Sequence, residues 1–331
     1  MPSKNCNIAL ITTGGTISAR NKNGVLFSGA GLLQKTFGGA FYKTSSPFNV
    51  LSENLDLDGI DALRAAVAAT LADGACGGIA ITHGTDTLAY SAAALAVLLG
   101  RINKPVVFVS AARPLDDPLS NGFVNMAAAL KFIRRGCAGV YAAWQNPREK
   151  VKIHAAARLY YTRADGYVWS FADAAPAGRP NAYAADRPVP RARADASVPA
   201  ESPRVSEGSR KVMLVRPYPG FDYRALNGYL VKNGGGAVFD PFHSGTVKTD
   251  GADSVNAVTV PCFLAAGFKR GILYESQTKL AQNIRPVFGV SPIALYYKAA
   301  FSVHMDGETR IKYVEADTVG EFFDKFENYW P

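Results

Sequence analysis

The sequence is poor in the residues that build covalent or metal-tied frameworks. Its 331 residues hold four cysteines, Cys6, Cys76, Cys137 and Cys262, far apart and without a CxxC pair. Neither a disulfide framework nor a zinc site is expected from such spacing, and buried reduced thiols are the ordinary reading. The four histidines, His83, His154, His243 and His304, include no pair at metal-ligand spacing. No run of about 18 uncharged apolar residues occurs, so no membrane-spanning helix is expected. The N-terminal apolar stretch is too short for a signal peptide and runs into a strand, which points to a cytoplasmic protein. GxSxG is absent, which removes an α/β-hydrolase elbow, and no glycine spacing fits a P-loop or the GxGxxG fingerprint.

Nor does charge point to nucleic acid. The net charge is +9, but the basic residues are dispersed. Their densest group, Arg187, Arg191 and Arg193, lies in a proline-rich stretch with Asp186 and Asp195 nearby. A solvated basic surface is the plainer reading, with neither nucleic acid nor membrane as partner.

What is present is a strong α/β rhythm. Apolar, β-branched runs at 7–11, 78–82, 105–110 and 139–143 alternate with helical patterns at 59–71, 86–99 and 125–135. In 59–71, Asp58 is placed to cap, and Ile60, Leu63, Val67 and Leu71 share a face. Continuous apolar strands between helices indicate an open, mainly parallel sheet with helices on both faces. Composition changes near 175, where 176–210 carries six prolines and few large apolar residues, as a linker does. Strand-like 211–215, 236–240 and 261–265 then alternate with helical 223–231 and 291–300, and 318–329 reads as a last helix. The expected organisation is an N-terminal α/β domain (1–175) with most site residues, a linker (176–210) and a smaller C-terminal α/β domain (211–331).

Ligands of open parallel sheets bind beyond the carboxyl ends of the strands. Three polar stretches fall there: Thr13-Gly14-Gly15-Thr16, "THGTDT" (82–87) and "SAARP" (110–114). Glycines let the backbone approach a ligand and donate N–H groups to an anion. A threonine hydroxyl needs a base or charged partner to act as a nucleophile. Thr85 and Asp86 could supply that assistance at a helix N-terminus, where the dipole favours a carboxylate. Taken singly, the Gly-Gly turn is an ordinary turn, Asp86 is equally an N-cap, and His83 serves to hold its loop.

Together the stretches resemble the bacterial-type asparaginase/glutaminase amidohydrolase family. "TTGGTI" (12–17) and "ITHGTDT" (81–87) resemble its two signatures. "SENLDL" (52–57), "ARPLDDPLSNGFVNMAAAL" (112–130) and "RPYPGFD" (216–222) resemble later stretches in the same order. The resemblance implies hydrolysis of an amino-acid side-chain amide, asparagine foremost, through an acyl-enzyme. By motif position Thr16 resembles the nucleophile, Thr85 the second threonine, and Asp86 the acid that also binds the substrate ammonium. Ser52 and Glu53 resemble the α-carboxylate and α-amino contacts, with the Gly15 N–H as a further donor. No cofactor and no metal are implied, and assembly as a homodimer or homotetramer is.

The sequence departs from the pattern in places. The triad lysine has Arg158 at its position, with Lys152 the nearest lysine before it. An arginine holds charge but is never deprotonated in proteins. The lid tyrosine has only Phe27 as counterpart. Thr246 or His243 stands where an asparagine contact is usual, and Glu275 is a candidate acid from a neighbouring protomer. Two other readings stay open. One is an ammonia-releasing component of an amidotransferase, whose family carries an extra N-terminal barrel not expected here. The other is a family member that binds an amino acid without turnover.

Overall fold

A computed structural model describes residues 6–22, 25–28, 35–171, 201–267 and 274–323. The chain divides into two compact units, Met1–Arg191 and Ala192–Pro331. Most of the 176–210 stretch, and the end of the helix expected at 318–329, lie outside the described residues.

In the first unit, strands β1 (Ile8–Thr12), β4 (Lys43–Ser45), β5 (Gly78–Thr82), β6 (Pro105–Val109), β7 (Gly139–Trp144) and β8 (Lys152–Ala155) form a sheet in the order β4-β1-β5-β6-β7-β8. All neighbours are parallel except β7 and β8. Strands β1, β5 and β6 are buried throughout, which is why their sequences are continuous apolar runs rather than alternating ones. Strands β2 (Ala19–Lys22) and β3 (Val25–Ser28) form a separate antiparallel hairpin, with Arg20 opposite Phe27.

Helices α1 (Leu57–Ala72), α2 (Leu88–Leu99) and α3 (Gly122–Ile133) complete the unit. Helix α3 lays Met126, Ala129, Leu130 and Ile133 on one sheet face, against Ile8, Leu10, Val107 and Val109. Helix α1 packs on α2, and both touch sheet strands. The cap of α1 is Asp56, whose carboxylate accepts from Gly59 N at 2.9 Å, and not Asp58. The helix starts two residues earlier than its apolar pattern, because Leu57 is only half-buried and Asp58 exposed. Thr70 is buried with Ile60, Leu63 and Val67, while Leu71 is half-buried.

The second unit holds a parallel sheet of β9 (Val212–Val215), β10 (Gly236–Phe239), β11 (Cys262–Ala265) and β12 (Ile284–Val287), in the order β12-β11-β10-β9. Its core joins Val215, Phe239 and Leu264 to Tyr223, Leu226 and Leu230 of α4 (Tyr223–Asn233). A short helix, α5 (Glu275–Thr278), precedes β12. Helix α6 (Pro292–Phe301) is capped by Ser291 and packs on β9, β10, β11 and α7 (Gly307–Glu315).

Residues 318–323 are not helical. Lys298 of α6 is fully buried, and its ammonium donates to Ala316 O and to Glu321. The Glu321 carboxylate also accepts from Thr318 N at 3.0 Å, Thr318 Oγ1 at 2.9 Å and Val319 N at 2.7 Å. Those local bonds wrap the segment around the carboxylate, in competition with a helical ladder.

Among the described residues no helix is long and apolar enough to cross a membrane, and no group of three or more His, Cys, Asp or Glu is placed to hold a metal ion. Cys76 and Cys262 are buried, whereas Cys6 and Cys137 are only half-buried.

Candidate active site

The chain leaves β1 through two glycines in the left-handed region, Gly14 at φ 100° and Gly15 at φ 77°. A side chain is excluded at both by space as well as by φ. A Cβ on Gly14 would lie 2.3 Å from Val50 O, and one on Gly15 would lie 2.3 Å from Gly84 N. Gly84 is confined in turn, since its Cβ would meet Ser52 Oγ at 2.3 Å. The loops after β1 and β5 and the segment 49–52 therefore converge, backbone against backbone.

Hydrogen bonds lock this convergence. Thr13 donates to Thr82 O twice, from Oγ1 at 2.7 Å and from its backbone N at 3.2 Å. Val50 N donates to Thr13 O at 3.1 Å. Thr87 Oγ1 donates to Ser52 O at 2.9 Å, and Ser52 Oγ to Asp86 Oδ2 at 3.4 Å. Thr162 Oγ1 donates to Thr85 O at 3.0 Å.

The two threonines of the motif differ in consequence. Thr13 is 2% exposed and its hydroxyl is engaged with β5. Thr16 opens a 3-10 turn (Thr16–Ser18) that is held by Ser18 N donating to Gly15 O at 3.0 Å. Thr16 and Thr85 are both half-exposed, and neither hydroxyl has a hydrogen-bond partner among the described residues. Asp86 is exposed and lies two residues before α2, whose N-cap is Thr87. Its carboxylate is thus presented beside the helix N-terminus rather than used to cap it.

His83 is 1% exposed, and its Nδ1 donates to Gly84 O at 2.8 Å. Its ring packs edge-on to Phe108 at 5.6 Å. Burial pulls its pKa down to about 4, so the imidazole is neutral and braces the loop. Ser110, the polar residue after β6, is fully buried and donates to His83 O at 2.6 Å. Asn125 Nδ2 of α3 donates to Ser110 O at 2.9 Å. The third strand end thereby supports the second one from beneath.

Ser52 and Glu53 share a 3-10 turn, Ser52–Asn54, with Ser52 buried and Glu53 exposed. Arg158 ends the turn Ala156–Arg158, is half-buried, and accepts from Phe171 N through its carbonyl at 2.8 Å. Lys152 lies on β8 and pairs with Glu149 at 2.7 Å. Phe27 lies on the β2–β3 hairpin. Thr246, His243 and Glu275 belong to the second unit. There Thr246 O accepts from Phe242 N at 2.9 Å, and Glu275 opens α5 and pairs with Lys279 at 2.8 Å. Gly15, Thr16, Ser52, Thr85 and Asp86 come from the converging loops. Thr162, which helps to hold those loops, is not singled out in the sequence, Asn125 appears there only within the stretch 112–130, and Ser110 stands out only as part of a polar strand end. Each is an unremarkable polar residue whose role depends on pairing across 77, 15 and 27 positions respectively.

A parallel α/β sheet with paired threonine-glycine loops at adjoining strand ends, joined to a smaller parallel-sheet unit, defines an asparaginase-type fold. Residues 7–171 match the family model "Asparaginase, N-terminal", and the chain belongs to the asparaginase family. Among its relatives is a glutamyl-tRNA(Gln) amidotransferase component of Methanopyrus kandleri, 27% identical over 268 residues, which are 75% of this chain and 58% of that protein. The chain spans little more than half the length of that relative. The L-asparaginase of Thermococcus kodakarensis is 42% identical over 69 residues, 21% of each chain. A solved thermostable L-asparaginase from Thermococcus kodakarensis covers 96% of this chain and 100% of its own, with a TM-score of 0.72 at 20% identity. A probable cytoplasmic L-asparaginase from Campylobacter jejuni covers 94% of this chain and 99% of its own, with a TM-score of 0.65 at 19% identity. At such identities the structural likeness speaks for the fold.

Proposed function

We propose that the protein is a cytoplasmic amidohydrolase converting L-asparagine to L-aspartate and ammonia, with Thr16 as nucleophile. The observation that carries this reading is the contrast within one turn. Thr13 is buried and bonded, whereas Thr16 is half-exposed, with a hydroxyl that bonds none of the described residues, on a loop pressed against the loop of Thr85. In this mechanism Thr16 Oγ attacks the amide carbon. Backbone N–H groups of the glycine turn stabilise the oxyanion, an effect of about 3–4 kcal/mol per donor. Ammonia leaves with the added proton, and water then cleaves the Thr16 ester to release aspartate. Asp86 and Glu53 attract the substrate ammonium, and Ser52 and the Gly15 N–H hold its carboxylate. Arg158 contributes fixed positive charge; since a guanidinium does not give up its proton, transfer falls to Thr85 and Asp86. From the second unit, Thr246 and Glu275 are proposed as substrate contacts completed in a homodimer or homotetramer.

A second reading is favoured by the relatives that are glutamyl-tRNA(Gln) amidotransferase components: ammonia release serving a partner enzyme acting on tRNA-linked glutamate. Assay of free ammonia from L-asparagine, L-glutamine and their D-forms by the purified protein tests the proposal. Release from L-asparagine supports it. Release that requires a partner protein favours the second reading. No release from any amide, with amino-acid binding retained by calorimetry, would overturn both.

A further inference from the structure

At the amino ends of its strands the second unit carries a cavity of about 390 Å³. That is the end opposite to where ligands of parallel sheets ordinarily bind. Lys211 borders it just before β9, Gly234, Gly235 and Gly236 lead into β10, and Arg310 comes from α7. His304, from the turn between α6 and α7, closes one side.

The glycines keep the space open. Gly234 ends α4 at φ 63°, where an L residue is disfavoured. A Cβ on Gly235 would stand 2.3 Å from Lys211 O.

Donors dominate what remains. The His304 side chain is 9% exposed, and neither ring nitrogen has a hydrogen-bond partner among the described residues. The Arg310 Nε is buried and likewise has no partner among the described residues, while its Nη2 donates to Ala299 O at 3.0 Å and its guanidinium lies over Phe263 at 5.7 Å. The Lys211 side chain has no hydrogen bond or ion pair among the described residues. Glu201 approaches His304, with its Oε1 3.7 Å from His304 Nε2 and a side chain that is 47% exposed. Buried donors without acceptors, on a half-buried guanidinium with no counter-charge among the described residues, are unfavourable unless something supplies both. An oxyanion supplies both at once, and arginine with lysine is the pairing that recognises one.

We propose that this cavity binds a small oxyanion-bearing ligand, a phosphate or a carboxylate group held by Lys211, His304 and Arg310. The test is thermal unfolding and calorimetric titration of the whole protein with inorganic phosphate and, separately, with acetate, against chloride at equal ionic strength. A ligand that binds only the folded state raises the melting temperature saturably. Saturable binding of phosphate identifies a phosphate site, and of acetate alone a carboxylate site. In either case Lys211→Met and His304→Gln weaken the affinity about tenfold, the loss of one charge-assisted contact. Lys211 is exposed, so its variant folds even where a change at Arg310 does not. No saturable binding of either anion, or wild-type affinity in both variants, would overturn the assignment.

Discussion

Gly15 and Gly84 touch: a Cβ on Gly15 would lie 2.3 Å from the Gly84 amide nitrogen. The loop after β1 and the loop after β5 are thus one structure, although 69 residues separate Thr13 from its partner Thr82. This contact fixes the turn that presents Thr16 against the one that presents Thr85, and the proposed active site depends on it.

Replacing Gly15 by alanine tests the contact. The φ of 77° costs an L residue about 1–2 kcal/mol, and the backbone clash adds to that. The Gly15→Ala variant is expected to lose about 2 kcal/mol or more in urea unfolding. Its ammonia release should fall by about a hundredfold or more, the scale of a misplaced catalytic group. Wild-type turnover in this variant would show that the two loops act independently.

Arg158 is a question of charge rather than proton transfer. Arg158→Met is expected to lower kcat by about tenfold or more, the low end of what charge stabilisation contributes. Arg158→Lys should retain most of the rate or exceed it, with an altered pH profile, because a lysine can also exchange its proton. Equal rates in wild type and Arg158→Met would place the residue outside the site.

His83 makes stability depend on pH. Its folded pKa of about 4 lies below its ordinary 6.5, so between these values the unfolded chain binds a proton that the folded one does not. Stability therefore rises with pH: the contribution is fully present above about 6.5 and is lost as pH falls towards 4, by about 3 kcal/mol. In His83→Asn, where an amide replaces the Nδ1 donor to Gly84 O, that slope should be absent from denaturant titrations at about pH 7 and pH 4.5. An unchanged slope would assign acid sensitivity to other groups.

The buried Lys298–Glu321 pair anchors the second unit. Burial alone would raise the Glu321 carboxyl, but the Lys298 ammonium and the hydrogen bonds around it outweigh burial and hold it low. Glu321→Gln leaves the ammonium buried without its counter-charge and should cost about 3–5 kcal/mol by urea unfolding. The double variant Lys298→Met/Glu321→Gln should recover part of that loss, since no charge then stays unpaired. A single variant as stable as wild type would contradict this role.

The elements legible in the sequence were those whose signal is local. Strand β5 (Gly78–Thr82) follows from its apolar run, and α4 starts at Tyr223, where the helical pattern of 223–231 begins. The antiparallel edge β8, the three-residue β4 and strand β12 were not legible, because Lys152, Lys43 and Arg285 interrupt the apolar pattern at exposed or edge positions. The break at 318–323 depends on Lys298, some twenty positions away, which no local pattern reports. In the site, the Gly-Gly turn and "THGTDT" stand out by composition. Their bracing by Ser110, Asn125 and Thr162 does not, since it is decided only when the strands pair.

The central claim is that Thr16, and not Thr13, performs the attack. Its most direct test is ammonia release from L-asparagine by wild type and by Thr16→Ala, with folding checked by urea unfolding. Thr16 is half-exposed and its hydroxyl bonds none of the described residues, so the variant should keep wild-type stability within about 0.5 kcal/mol. Its turnover should fall by about 10³-fold or more, the scale of losing a nucleophile. Turnover persisting at the wild-type rate in a folded Thr16→Ala protein would contradict the assignment of Thr16.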